Sequence, residues 1–351
     1  MAYSGKVAIV TGIGLGITEH LLREGANVVV ADLNAVQGAK VVEKLNNCGE
    51  SLMKRLNSSS KGRAEFCATD VTSWASVCEL FAFSYVKFGR RIDYVFANAG
   101  IAQMQEMRSS NPTYFATAKQ DDLETLQDRP PSLAVIRVNL DGVLYTLHAA
   151  LAYFRKQEKD KDGWRGKFVG TGSNACQKAH FGTTSDRSSF YPFPNDPLYA
   201  AAKSGVLGIC RAVGPKVFEE GITVNCFGPS VVATGLAPPE FLAMLEREGR
   251  LTPMKTITDA ADVFINPKSK VTGACDPRLL EATTTARSRY AELTWASIAG
   301  QIIENCGTRN AFRAIPGYMD DNARKNMNEF HSSDQIDQAL SVEGAGLDVV
   351  A

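Results

Sequence analysis

Short apolar runs recur along this chain, each followed by a segment of helical length. Val7 to Val10, Asn27 to Ala31, Ala64 to Ala68, Ile92 to Phe96, Lys167 to Gly170 and Ile222 to Cys226 read as strands. The segments 35–46, 73–88, 134–156 and 199–219 read as helices, as does an apolar-periodic stretch through Leu21 and Leu22. A strand buried on both faces needs a nearly continuous apolar run, and parallel neighbours need a crossover between them. The alternation therefore predicts an α/β fold, a doubly wound parallel sheet with helices on both faces. Functional residues should then gather where strands end. With 44% of its 351 residues hydrophobic, the chain can fill one such core. A single domain is expected over 1–330, with a polar tail over 331–351.

Charge excludes several partners. Lys+Arg and Asp+Glu both number 38, and no basic block stands out, so neither nucleic acid nor a membrane surface is an expected partner. Eight cysteines are scattered without a C-x-x-C pair and the four histidines lie far apart, a pattern of reduced thiols with no metal site. Met1 to Lys6 runs directly into an apolar strand, and no stretch has signal-peptide or bilayer-spanning character. The expected location is cytoplasmic.

Two motifs can carry chemistry. Thr11-Gly12-Ile13-Gly14-Leu15-Gly16 follows a strand and precedes a helix. Glycines there let backbone approach a pyrophosphate, and a helix N-terminus supplies free N–H groups. A plain strand–helix turn would use the same residues. Asp32 closes the next strand, where a carboxylate can accept hydrogen bonds from adenosine ribose hydroxyls and would repel a 2′-phosphate. The expectation is NAD, with NADP less favoured. Tyr199-Ala200-Ala201-Ala202-Lys203 puts a phenol and an ammonium on one helix face. A free phenol has a pKa of about 10, so acid–base work near neutral pH needs such a cation beside it.

Further residues fall in register with these. Asn98-Ala99-Gly100 closes the fourth strand, Asn139 lies in a helix, Ser173 follows the fifth strand, and Pro229, Val232 and Thr234 follow the sixth. In this order the chain resembles the classical branch of the short-chain dehydrogenase/reductase superfamily, a Rossmann-type fold, over about residues 5–235. The text around Tyr191-Pro192-Phe193-Pro194 is similar to fungal members akin to 15-hydroxyprostaglandin dehydrogenase. The resemblance implies NAD-dependent oxidoreduction between a secondary alcohol and a ketone, on a small apolar substrate. Tyr199 is the implied acid or base, Lys203 its partner on the nicotinamide ribose, and Ser173 a donor to the substrate oxygen. Asn139 is implied to hold a relay water. Gly12, Ile13, Gly14, Asp32, Asp70, Val71, Asn98, Ala99, Gly100, Pro229, Val232 and Thr234 line the implied dinucleotide cleft. Residues 235–256 form an expected mobile lid, and helices 134–156 and 199–219 an expected homodimer or homotetramer interface. A role in fungal secondary metabolism is implied on the same ground.

The pattern also breaks. Against the family's glycine motif about four residues are missing, either from the turn after Gly12 or from the first helix. Removed from a helix, four residues turn its face by only about 40° and spare the apolar stripe. Removed from the turn, they take pyrophosphate donors with them. Irregular insertions are expected near 47–62, 176–189 and 274–299, the last splitting the final strand between Lys270-Val271-Thr272-Gly273 and Gln301 to Asn305. Two alternatives follow: a catalytically impaired member of this fold, or an NADPH-dependent ketone reductase. Some of these breaks are also consistent with misplaced exon boundaries. A spliced transcript encoding every one of them would remove that explanation.

Overall fold

The computed structural model describes residues 2–12, 14–56, 62–102, 132–174, 196–266, 300 and 302–312. Seven strands run parallel: β1 (Val7–Thr11), β2 (Asn27–Asp32), β3 (Ala64–Ala68), β4 (Tyr94–Ala97), β5 (Gly166–Thr171), β6 (Ile222–Pro229) and β7 (Ile302–Cys306). The order is β3-β2-β1-β4-β5-β6-β7-β8, with β8 (Arg309–Phe312) antiparallel at the edge. The doubly wound parallel sheet is therefore as expected, and the antiparallel edge strand is additional.

Alternate side chains of each strand serve opposite faces. Val28 and Val30 join Val10, Leu21 and Phe264 in one core, while Val29 and Ala31 join Ile9, Phe81, Phe154 and Phe168 in the other. α1 (Leu15–Arg23), α2 (Ala35–Leu56) and α8 (Met254–Ile265) cover the first. α3 (Trp74–Lys87), α5 (Gly142–Lys156) and α6 (Pro197–Val217) cover the second. A short α4 (Ala134–Ile136) precedes α5, and α7 (Pro239–Arg247) follows β6.

Four boundaries differ from the sequence expectation. α2 continues through Leu56, ten residues past position 46, so the stretch expected to be irregular from 47 is helical for most of its length. Polarity alone does not end a helix. The expected lid ends early, because α8 begins at Met254 and buries Thr256 and Ile257. The helix over 134–156 is interrupted by a π-helical turn, Arg137–Asp141. α6 begins at Pro197, because Asp196 caps it. The expected insertions at 176–189 and 274–299, the segment 270–273 and the tail from 331 lie outside the described residues. The described residues belong to one compact unit, Met1–Ala314.

Candidate active site

Strand order reverses between β1 and β4, and the crevice above their C-terminal ends is where ligands bind in sheets of this kind. The expected site residues surround it. Thr11 ends β1, and its hydroxyl oxygen accepts from the amides of Asn98 (3.0 Å) and Ala99 (3.1 Å) after β4. That bond ties the glycine turn to the Asn98-Ala99-Gly100 segment.

The turn itself is short. Gly12 and Gly14 have φ values of 70° and 45°, and α1 starts at Leu15, so the shortening falls between strand and helix. α1 keeps its apolar stripe, with Ile17 and Leu21 buried. No side chain caps α1, which leaves its first amides facing the crevice side of the turn. A β-carbon at Gly12 would stand 3.0 Å from Ala99 Cα, and one at Gly14 would stand 2.5 Å from Val10 Cγ1. Both positions therefore require glycine. Ile13 lies outside the described residues.

On the β2–β3 side, Asp32 Oδ1 accepts from the Asn34 amide at 2.8 Å, which orients the carboxylate at the strand end. Asp70 Oδ1 accepts from both the amide (2.9 Å) and hydroxyl (2.7 Å) of Thr72. Val71 is buried against Gly142, the first residue of α5.

The other side holds the acid–base candidates. Tyr199 is half-buried near the start of α6, and Lys203 is buried one turn on. Lys203 Nζ donates to the Thr171 carbonyl at 2.7 Å and stands 5.6 Å from the centre of the Tyr199 ring. Asn139 is fully buried in the π-helical turn, and its amide makes two 2.8 Å bonds, accepting from Ile101 N and donating to Ile101 O. Gly100 stands between these groups: a β-carbon there would lie 3.2 Å from Asn139 Oδ1 and 3.4 Å from Lys203 Nζ. Ser173 is buried just beyond the end of β5.

After β6, Pro229 leads into a loop stitched to the sheet edge. Ser230 N donates to Asn305 O (2.7 Å), and Val232 bridges Thr252. Thr234 is exposed, and its hydroxyl accepts weakly from Leu236 N at 3.4 Å. Leu15 after β1, Ile101 after β4, and Leu236 and Phe241 after β6 are exposed, an apolar rim in sequence beyond the C-terminal ends of those strands. Among the described residues, no group of three His, Cys, Asp or Glu could hold a metal.

Two anchoring groups were not singled out from the sequence. Thr11 was read only as part of the glycine motif, and its hydroxyl proves to be the clasp to β4. Asp196 accepts from the Tyr199 amide at 2.9 Å. The Asp-Pro pair at 196–197 is a helix-start signal that could have revealed it.

Known proteins resemble this chain over most of its length. The family model for short chain dehydrogenase matches residues 6–243. Short-chain dehydrogenase/reductase prx6 of Penicillium rubens is 28% identical over 76% of this chain and 81% of its own length. Short-chain dehydrogenase/reductase ascJ of Acremonium egyptiacum is 30% identical over 68% of this chain and 67% of its own. A short-chain dehydrogenase/reductase structure from Mycobacterium marinum covers 87% of this chain and 95% of itself with a TM-score of 0.57 at 19% identity. A 3-ketoacyl-(acyl-carrier-protein) reductase from Brucella melitensis, complexed with NADH, covers 76% and 93% with a TM-score of 0.54 at 20% identity. The protein is an oxidoreductase of the short-chain dehydrogenase/reductase family.

Proposed function

We propose that this enzyme interconverts a secondary alcohol and a ketone with NAD, using Tyr199 as the acid or base. One observation carries the reading: Lys203 is held by Thr171 O beside the Tyr199 ring, and Asn139 meets it across Gly100. The ammonium favours an anionic oxygen at Tyr199. Ser173 donates to the substrate oxygen, whose charge changes as the reaction proceeds. Asn139 holds the Ile101 backbone and, with its remaining donor and acceptor capacity, a relay water toward Lys203.

The residues present fit a dinucleotide. Asp32 addresses an adenosine ribose, Asp70 and Val71 the adenine, and Asn98 to Gly100 the crevice floor. The uncapped start of α1, with Gly12 and Gly14 clear of β-carbons, faces the pyrophosphate. Pro229, Val232 and Thr234 flank the carboxamide end. When bound, the nicotinamide supplies or accepts the hydride. Asp32 is the ground for NAD over NADP.

The apolar rim supports a small apolar alcohol or ketone as substrate. A groove of about 580 Å³ between Trp74 of α3, Tyr145 and His148 of α5, and Ile209 and Val213 of α6 supports a homodimer or homotetramer. Among the described residues no helix is long and apolar enough to cross a membrane, and we place the protein in the cytoplasm. The finer likeness to fungal members akin to 15-hydroxyprostaglandin dehydrogenase rests on Tyr191-Pro192-Phe193-Pro194, which lie outside the described residues, and a place in secondary metabolism rests on the resemblance to fungal members.

The three-residue turn favours a second reading, a member of the family that binds its dinucleotide poorly. Fluorescence titration of the purified protein with NADH and NADPH separates them. Micromolar NADH binding with much weaker NADPH binding supports the active enzyme. No binding of either by folded protein selects the impaired one.

A further inference from the structure

α6 carries both Tyr199 and Lys203, so the seating of its first turn sets where two groups stand. A helix with that task needs a fixed start.

Asp196 provides it. The residue is fully buried and lies at the N-cap, with Pro197 as the first helical residue. Pro197 has no N–H, so the amides left over at this end begin at Leu198 and Tyr199. Asp196 Oδ1 accepts from Tyr199 N at 2.9 Å, and its carbonyl accepts from Ala200 N at 3.0 Å. The side chain thus fixes the amide of the very residue that carries the phenol. Lys203 follows one turn later on the same face, held at its far end by Thr171 O. A buried carboxylate is costly unless hydrogen-bonded, and here the amide bond and the positive end of the helix offset that cost.

We propose that Asp196 is a positioning residue of this enzyme: its buried carboxylate seats the Tyr199 amide and so fixes where the phenol and Lys203 stand in the crevice. This rests on the proposed role of Tyr199 and Lys203 at the nicotinamide end of the dinucleotide.

The test uses the full chain with Asp196→Ala and Asp196→Asn, each read by amide hydrogen exchange and by NADH titration. Asp196→Ala is expected to speed exchange over residues 198–203 by about ten-fold, leaving β1 and α8 unchanged, and to weaken NADH binding by a similar factor. Asp196→Asn, which keeps an acceptor, should recover both to within about three-fold. Should the alanine variant not fold, Asp196→Gly is read in its place, since glycine is a tolerated cap without an acceptor. Unchanged exchange overturns the proposal. So does faster exchange with unchanged NADH affinity, which would make Asp196 a helix cap and nothing more. If the wild-type protein binds no NADH, the cofactor reading falls, while faster exchange rescued by asparagine still upholds the seating of Tyr199.

Discussion

Lys203 is buried, yet its ammonium has a backbone acceptor in Thr171 and an aromatic face nearby, so its charge is compensated while it waits beside Tyr199. The phenol oxygen alone is then expected to be dispensable for folding. Tyr199→Phe should lower the rate of NADH oxidation with a ketone by about 10²–10⁴-fold, with melting temperature and NADH affinity nearly unchanged. Stopped-flow absorbance and fluorescence titration check the two halves. On the proposed role of Asp32 in cofactor choice, Asp32→Ala should weaken NADH binding by about ten-fold and narrow its advantage over NADPH, read by paired titrations. The spacing that singled out Tyr199 and Lys203 in the sequence does bring the ammonium beside the phenol ring in the fold. The Thr11 hydroxyl and the Asp196 cap were less legible. Their work is to hold backbone, and only the fold shows which amides need a partner.

Among the elements, α1 is the most constrained. A side chain at Gly14 would be forced into left-handed backbone and against Val10, so Gly14→Ala should cost about 2 kcal/mol or more in urea unfolding. Gly16 differs, since the nearest atoms to its β-carbon would be those of the Met254 side chain, 2.3 Å away at Cγ and Sδ. Gly16→Ala should therefore be partly rescued by Met254→Ala, which a double-mutant cycle measures. β5 supplies a third test. Burial pushes the Lys167 amine down to about 7, while its Nζ caps α8 through the Ile265 carbonyl at 3.0 Å. An unfolded lysine titrates near about 10.4. Between those values the unfolded chain binds a proton the folded one lacks, so this group adds stability as pH rises. Below about 7 the folded state bears the buried charge in full. Urea midpoints at pH 7 and pH 9 should rise more in the wild type than in Lys167→Met. Strands were read from sequence more accurately than helix ends. An apolar run states its own limits, whereas α2 runs on through residues whose polar types read as a break.

At the scale of the molecule, the groove on α3, α5 and α6 makes a prediction about assembly. Val213→Asp should shift the protein to monomer mass in light scattering, with its circular dichroism unchanged, if copies associate there. The overall plan was legible because alternation of strand and helix leaves few ways to wind a parallel sheet. The three-residue turn was not, since a missing stretch can be placed in loop or helix with equal economy until packing is known. The π-helical turn at Arg137–Asp141 has a consequence at this scale too. It acts as a phase slip, adding one residue to a helix whose residues otherwise advance by about 100° each. Within the slip the helix answers to the crevice, through Asn139 and its bonds to the Ile101 backbone. Downstream it answers to the sheet on one side, through Leu147 and Phe154, and to the groove on the other, through Tyr145 and His148. Deleting one residue there would rejoin the two phases and swing one half against the other. The bearing of the strand-end crevice on the groove of α3, α5 and α6 is thus written into a single helical turn.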